Sequence, residues 1–317
     1  MNDSPAALHG LHIFERGWLS SNNVLVQGDG GGATLIDSSH TVHAAQTVAL
    51  VRHALAQATE HSDETPWLLQ VVNTHLHSDH CGGNATLHRE FGARVLVPQS
   101  SFRAVQAWDL DELSFRHTGQ RCERFEAQGS IAPGQTLFLG ARAWQVLAAP
   151  GHDPDSVLLF DADHGVLISA DALWETGFGV VFPELVGKPA FGDVAAVLDL
   201  IDTLPVQWVI PGHGAPFQDV KAALQRARTR LQGMRAEPAR HARHAARVLL
   251  KYHLMEERSQ AWPALQAWAE TTPLFARVWQ ELGQREAASP AAWCELIVQT
   301  LVGSGALKLI DGVVHDA

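Results

Sequence analysis

Four groups able to ligate a metal ion, His75, His77, Asp79 and His80, fall within six consecutive residues of the segment THLHSDHCGG, Thr74 to Gly83. Chance predicts roughly 0.003 occurrences of this arrangement in a chain of such histidine and aspartate content. Residues two apart on an extended segment project to one side, so His75 and His77 can grip one cation while Asp79 and His80 turn toward another. A continuous apolar run of strand length, Trp67 to Asn73, leads into the motif. The breaker Gly82-Gly83, a short helix to Phe91 and a strand from Arg94 to Val97 follow it. Strand, ligand-rich loop, helix, strand is the layout of an α/β protein with its chemistry at the carboxyl ends of strands.

The same layout recurs along the chain. Leu11 to Asp37 reads as a hairpin or meander with a turn at Gly28 to Gly32. Thr41 to Ala58 has helical spacing and is broken at His61 to Pro66. Strands are expected at Ala143–Ala149, Ser156–Asp161, Gly165–Ala170 and Trp208–Ile210, and a helix at Val194–Leu204. A long loop is expected over Trp174–Phe191. Further ligand-type residues follow strands: Asp37 in LIDSS, His152 in PGHD, Asp171 in ISADAL and His213 in PGHG. From Gln218 onward the pattern is helical, and Asp311-Gly312 within LKLIDGVVH signals a closing hairpin. This predicts a catalytic domain over 1–217 and a small, mostly helical, winged-helix-like domain over 218–317.

Hydrophobic residues at 46% and charged ones at 18% fit a globular protein. A formal charge of −11 opposes binding to nucleic acid or anionic membrane by the molecule as a whole. Three cysteines at patternless spacing, Cys81, Cys122 and Cys294, exclude a disulfide framework. No run of 18 apolar residues offers a membrane span. MNDSPAALHG has no secretory pattern, so a cytoplasmic location is expected. Cys81 reads as a buried filler. His40, His43, His88 and His117 read as surface or capping residues, while His241, His244 and His253 lack ligand spacing.

Taken in order, the five motifs between residues 11 and about 217 resemble those of the metallo-β-lactamase superfamily of hydrolases. The resemblance implies a four-layer αβ/βα sandwich with two divalent metal ions in a groove at one edge. By that resemblance His75, His77 and His152 hold the first ion, Asp79, His80 and His213 the second, and Asp171 bridges both. Asp37 matches the position that orients the metal loop through hydrogen bonds. The donor set suits zinc, with iron or manganese as alternatives. The implied nucleophile is a hydroxide bridging the ions, with Asp79 as the catalytic residue that orients it and relays a proton to the leaving group.

Within that family the departures discriminate. Asp171 and the lack of a leader speak against β-lactam hydrolysis, and His77 stands where flavodiiron proteins carry a carboxylate. Hydroxyacylglutathione hydrolases share the THxHxDHxGG form, although their basic C-terminal glutathione-binding residues have no clear counterpart here. The expected substrate is a small or medium ester, thioester or lactone, with Trp174, Phe178, Phe182 and Phe191 as candidate pocket residues.

An alternative lies in the basic stretch from Lys221 to Arg258, which resembles the tail of lactamase-like endoribonucleases and would hold the phosphates of an RNA or other phosphodiester. The same arginines can instead form a solvated or interdomain face. An acyl-CoA would be the middle case. A mononuclear iron persulfide dioxygenase is a third reading, against which the presence of Asp79, His80 and His213 argues. No membrane partner is expected, and a homodimer through the tail is left open.

Overall fold

Alternation along the strands sets the layers. In β2 (Asn23–Val26) Val24 and Val26 face one side while Leu25 faces the other, as the two-residue repeat of a pleated strand requires. The computed structural model describes residues 5–28, 32–59 and 67–317. The centre of the expected Gly28–Gly32 turn and the expected breaker at His61–Pro66 lie outside the described residues.

The first sheet runs in the order β1 (Leu11–Phe14), β2, β3 (Gly32–Ile36), β4 (Trp67–Val72), β5 (Arg94–Pro98) and β6 (Gly129–Ile131). It is antiparallel over β1 to β3 and parallel from β3 to β6. The second contains β7 (Thr136–Leu139), β8 (Arg142–Ala148), β9 (Val157–Asp161), β10 (Val166–Ala170) and β11 (Trp208–Pro211), neighbours in that order, with only β10 and β11 parallel.

The inner faces meet in a core of Val24, Val26, Ile36 and Val72 against Trp144, Val146, Leu159 and Ile168. Opposite faces carry helices. Leu25, Leu35 and Val71 pack against helix Ala44–Thr59, and Leu158, Phe160 and Leu167 against helices Phe191–Thr203 and Val220–Ala236. Each such fully buried side chain contributes about 1.5–3 kcal/mol, and loss of alternation would break both layers at once. The result is a mixed α/β sandwich of four layers, αβ/βα.

Because β3 and β4 are parallel, and β8, β10 and β11 run the same way as one another, the loops after all five leave at carboxyl ends. Asp37, His75, His152, Asp171 and His213 lie on those loops.

The strands β6 and β7 have no expected counterpart. The former is only three residues long, and the latter is an edge strand that leaves Phe138 80% exposed, so neither shows the usual apolar pattern. Two other differences lie in the expected loop over Trp174–Phe191. It contains the short helix Phe182–Leu185, and the next helix starts at Phe191, three residues before the expected Val194. The Glu184 carboxylate accepts hydrogen bonds from the amides of Ala190 (2.6 Å) and Phe191 (2.7 Å), satisfying groups that would otherwise lack partners.

Beyond residue 236 the chain forms helices Pro238–Glu257, Trp262–Thr271, Pro273–Glu281 and Pro290–Gly303, with β12 (Ser259–Ala261), β13 (Leu307–Ile310) and β14 (Val313–Asp316) pairing as a three-stranded antiparallel sheet. Phe275, Trp293, Leu265 and Leu254 fill its core, which Val180 and Leu185 from the sandwich loop also join. No helix among the described residues is long and apolar enough to cross a membrane.

Candidate metal centre

The motif after β4 is folded by hydrogen bonds that leave its imidazoles facing inward. Asp37 is the hub. Its Oδ1 accepts from the Thr74 amide, and its Oδ2 from the Thr74 hydroxyl and from His80 Nδ1, each at 2.8 Å. His80 Nε2 is thereby turned inward, 3.5 Å from Asp171 Oδ1 and 3.7 Å from Asp79 Oδ2, buried and without a hydrogen-bond partner. His152 is fixed similarly, since its Nδ1 donates to the Val180 carbonyl at 2.6 Å. That bond leaves the Nε2 lone pair facing His77 Nδ1 at 2.7 Å and Asp171 Oδ2 at 3.2 Å. His75 Nε2 lies 3.1 Å from the same His77 nitrogen. His213 Nε2 is 3.1 Å from Asp79 Oδ2 and 3.8 Å from Asp171 Oδ1.

Three sets of donor atoms therefore converge, each within 4.8 Å: His75, His77 and His152; His75, His80 and Asp171; Asp79, His80 and His213. Close glycine contacts permit this. A Cβ on Gly212 would lie 2.2 Å from Asp171 Oδ1, so only glycine lets the loop after β11 approach.

Burial, and then the neighbouring imidazoles, lower the pKa of His75 and take that of His77 down to about 3; burial also lowers His152. These rings stay neutral, with free lone pairs. Burial opposes ionisation of Asp79 and Asp171, but the imidazoles around them, His80 foremost, outweigh it and lower both. Burial likewise opposes charge on His80, yet Asp37, Asp171 and Asp79 raise its pKa well above the ordinary value. Inward lone pairs on His75, His77 and His152, two ionised carboxylates and the inward-facing, unpartnered His80 Nε2 are a donor set that fits zinc-class divalent ions.

A cavity of about 240 Å³ opens over these donors. Trp174 and Phe182 line it, and the Trp174 indole donates to Asp171 Oδ1 at 3.2 Å. Phe178 and Phe191, expected in the same pocket, are elsewhere: both are buried in the core beside the outer helices of the second sheet. An aromatic-rich loop must pack against two surfaces at once, and its sequence does not say which ring faces which. Lining residues without a motif include Trp18, stacked on the His213 ring at 5.4 Å, Tyr252, whose hydroxyl lies 2.7 Å from Ser78 Oγ, Arg230 and His244. Tyr252, Arg230 and His244 come from helices whose local signal is only amphipathic. Across His77, His152 and Phe182 lies a larger groove of about 1010 Å³.

His40, expected at the surface or as a cap, caps Val42 through Nδ1 but is fully buried, with Nε2 3.7 Å from Glu256. Cys81 is buried, its sulfur 3.8 Å from that of Cys122. The basic stretch is largely paired. Arg228 meets Asp199 and Asp202, Arg243 meets Glu237 and Glu286, and Lys251 and Arg258 meet Asp316. Arg226 and Arg235 donate to backbone carbonyls.

The sequence matches the family model of the metallo-beta-lactamase superfamily over residues 16–213. It is 29% identical to the acyl-coenzyme A thioesterase MBLAC2 of Homo sapiens over 174 residues, 51% of this chain and 61% of that one. It is 31% identical to the hydroxyacylglutathione hydrolase of Anaeromyxobacter dehalogenans over 168 residues, 53% of this chain and 52% of the relative. The chain thus spans between half and two thirds of the length of these relatives. A metallo-beta-lactamase family protein from Thermus thermophilus superposes with a TM-score of 0.56 at 21% identity, covering 98% of this chain and 100% of its own. Native FEZ-1 metallo-beta-lactamase from Legionella gormanii gives 0.56 at 13% identity, covering 73% and 94%. These two likenesses concern the fold.

Proposed function

The chain belongs to the metallo-beta-lactamase superfamily, and from that premise we propose that it is a metal-dependent hydrolase of a small or medium thioester, with esters and lactones as related substrates. The observation that carries this reading is the convergence of imidazoles from three loops, those after β4, β8 and β11, on two ionised aspartates beneath a cavity. The thioester preference draws support from relatives named as an acyl-coenzyme A thioesterase and a hydroxyacylglutathione hydrolase.

In this reading His75, His77 and His152 hold one divalent ion, Asp79, His80 and His213 hold a second, and Asp171 serves both. Zinc suits the donors best. Such ions supply Lewis-acid polarisation of a carbonyl and lower the pKa of bound water toward about 7. The chain's own residues do the rest. Asp37 fixes the His80 ring, and the Trp174 indole holds Asp171 Oδ1. Trp18, Trp174 and Phe182 shed water from the cavity. Asp79, ionised and lining the cavity, takes the proton of the attacking water and passes it to the leaving sulfur.

We assign catalysis to residues 1–217 and a wall of the substrate cavity to the winged-helix-like part, 218–317, whose first helix, Val220–Ala236, packs on the sandwich. The free thiols fit a reducing compartment such as the cytoplasm. Six of the ten basic residues in 221–258, Arg226, Arg228, Arg235, Arg243, Lys251 and Arg258, are taken up by carboxylates or backbone carbonyls, which weighs against the phosphodiester alternative.

The test is a panel of thioesters, esters, lactones and short RNAs offered to protein of measured metal stoichiometry. Thioester cleavage that rises with metal content to two ions per chain is expected. Two bound zinc ions with no cleavage of any acyl substrate would overturn the hydrolase reading.

A further inference from the structure

We propose that Arg230, held by His244, forms an anion subsite in the metal cavity, so that the preferred substrate carries a carboxylate or phosphate a few atoms from its scissile carbonyl. This rests on the hydrolase reading above and adds a substrate class to it.

Arg230 stands apart among the partly buried basic residues of this stretch, since Lys221, Arg240 and Arg247 are exposed. Arg228, Arg243, Lys251 and Arg258 each meet a carboxylate, and Arg226 and Arg235 each meet a carbonyl. The Arg230 guanidinium has no acidic partner among the described residues, and burial alone depresses its pKa. Only one of its nitrogens, Nη2, has a hydrogen-bonding partner, His244 Nε2 at 3.0 Å. A half-buried guanidinium with most of its N–H donors unused is costly unless an anion is supplied from outside.

The surroundings hold this group in place rather than neutralise it. Its carbon lies 5.4 Å from the centre of the Phe178 ring, an attractive cation–π contact that fixes the plane of the fork. On another side Gly177 makes room, since a Cβ there would lie 3.0 Å from Arg230 Cδ and 3.1 Å from Nη1. Burial, with Arg230 and Arg247 adding to it, takes the pKa of His244 down to about 4, so the ring stays neutral and its Nε2 accepts from the guanidinium. Arg230 and His244 line the same cavity as His77, Asp79, Asp171 and His213. At about 240 Å³ that cavity takes a short anionic arm, and the larger groove beyond Phe182 is left for the other arm of the substrate. Planar fork geometry suits both carboxylate and phosphate oxygens.

The experiment compares thioesters of one acyl group on three thiols: neutral 2-mercaptoethanol, mercaptoacetate and 2-mercaptoethyl phosphate. Thiol release is followed with wild type, Arg230→Lys and Arg230→Met at equal metal content. The last keeps an apolar stem against Phe178. In Arg230→Met the ratio of kcat/KM for the preferred anionic thioester over the neutral one should fall by about tenfold or more, as loss of a charge-assisted hydrogen bond predicts, with Arg230→Lys between. The larger fall identifies carboxylate or phosphate as the favoured group. Calorimetric titration with methylthioacetate or inorganic phosphate, matched to that group, should show the same order of affinities without turnover. Anionic and neutral substrates falling in parallel, or an unchanged ratio, would overturn the subsite while leaving the hydrolase reading intact. Wild type inactive on all three would count against the hydrolase reading, and the titration would then decide the subsite alone.

Discussion

Asp37 Oδ2 and His80 Nδ1 lie 2.8 Å apart, and this one bond aims the opposite nitrogen of His80 at Asp79 and Asp171. Asp37 is itself locked, because Thr74 donates to it from both amide and hydroxyl. An asparagine at 37 has one carbonyl oxygen to serve three donors. Asp37→Asn should therefore weaken metal affinity by about 10- to 100-fold, the usual effect of losing a partner that orients a ligand. Competition with a chelator measures it; unchanged affinity for both ions would show that His80 needs no such anchor.

His77→Ala and Asp171→Ala each remove a donor from a convergent set. Metal content and thioester hydrolysis should fall together in both, by at least one ion per chain and about a hundredfold in rate or more. Elemental analysis beside a thiol-release assay checks this. Wild-type metal content in either variant contradicts the ligand assignment.

The segment from Thr74 to Gly83 could be read without a structure because all its donors lie within one short loop, where residue spacing maps directly onto geometry. Most strands of the sandwich, though not β6 and β7, were legible for a similar reason: Val24, Leu25 and Val26 alternate between two buried faces. Arg230 and Tyr252 were not. Their helices show a 3.6-residue pattern that reports burial, while their place beside His77 and Asp79 depends on how those helices dock against the sandwich. Phe178 and Phe191 failed the opposite way. Aromatic composition is the same whether a ring lines a cavity or fills a core, and here both rings fill the core.

Gly179 ties two donors together. Its amide donates to the Asp171 carbonyl at 2.9 Å, and a Cβ on it would meet His152 Nδ1 at 2.4 Å. The methyl of Gly179→Ala would push the imidazole off the Val180 carbonyl that fixes its tautomer. Metal affinity should drop about tenfold or more while the thermal unfolding of metal-free protein changes little. A large loss of metal-free stability instead would mean that the strain spreads into the sheet.

His241 links pH to stability. The ring is buried, and its Nε2 accepts from the Val181 amide at 3.1 Å. Burial, followed by His244 and Arg230, takes its pKa down to about 4. In the unfolded chain it titrates near 6.5. Between these values the unfolded state binds the proton and the folded state does not, so stability from this residue is complete above about pH 6.5 and is lost as pH falls toward 4. The loss is on the order of 3 kcal/mol. His241→Gln keeps an acceptor for Val181 but cannot titrate. Urea unfolding at several pH values should give a shallower decline for this variant between pH 6.5 and 4, because every other titrating group is common to both proteins. Parallel curves would show that His241 is protonated in the folded state, and that the Val181 amide finds its acceptor elsewhere.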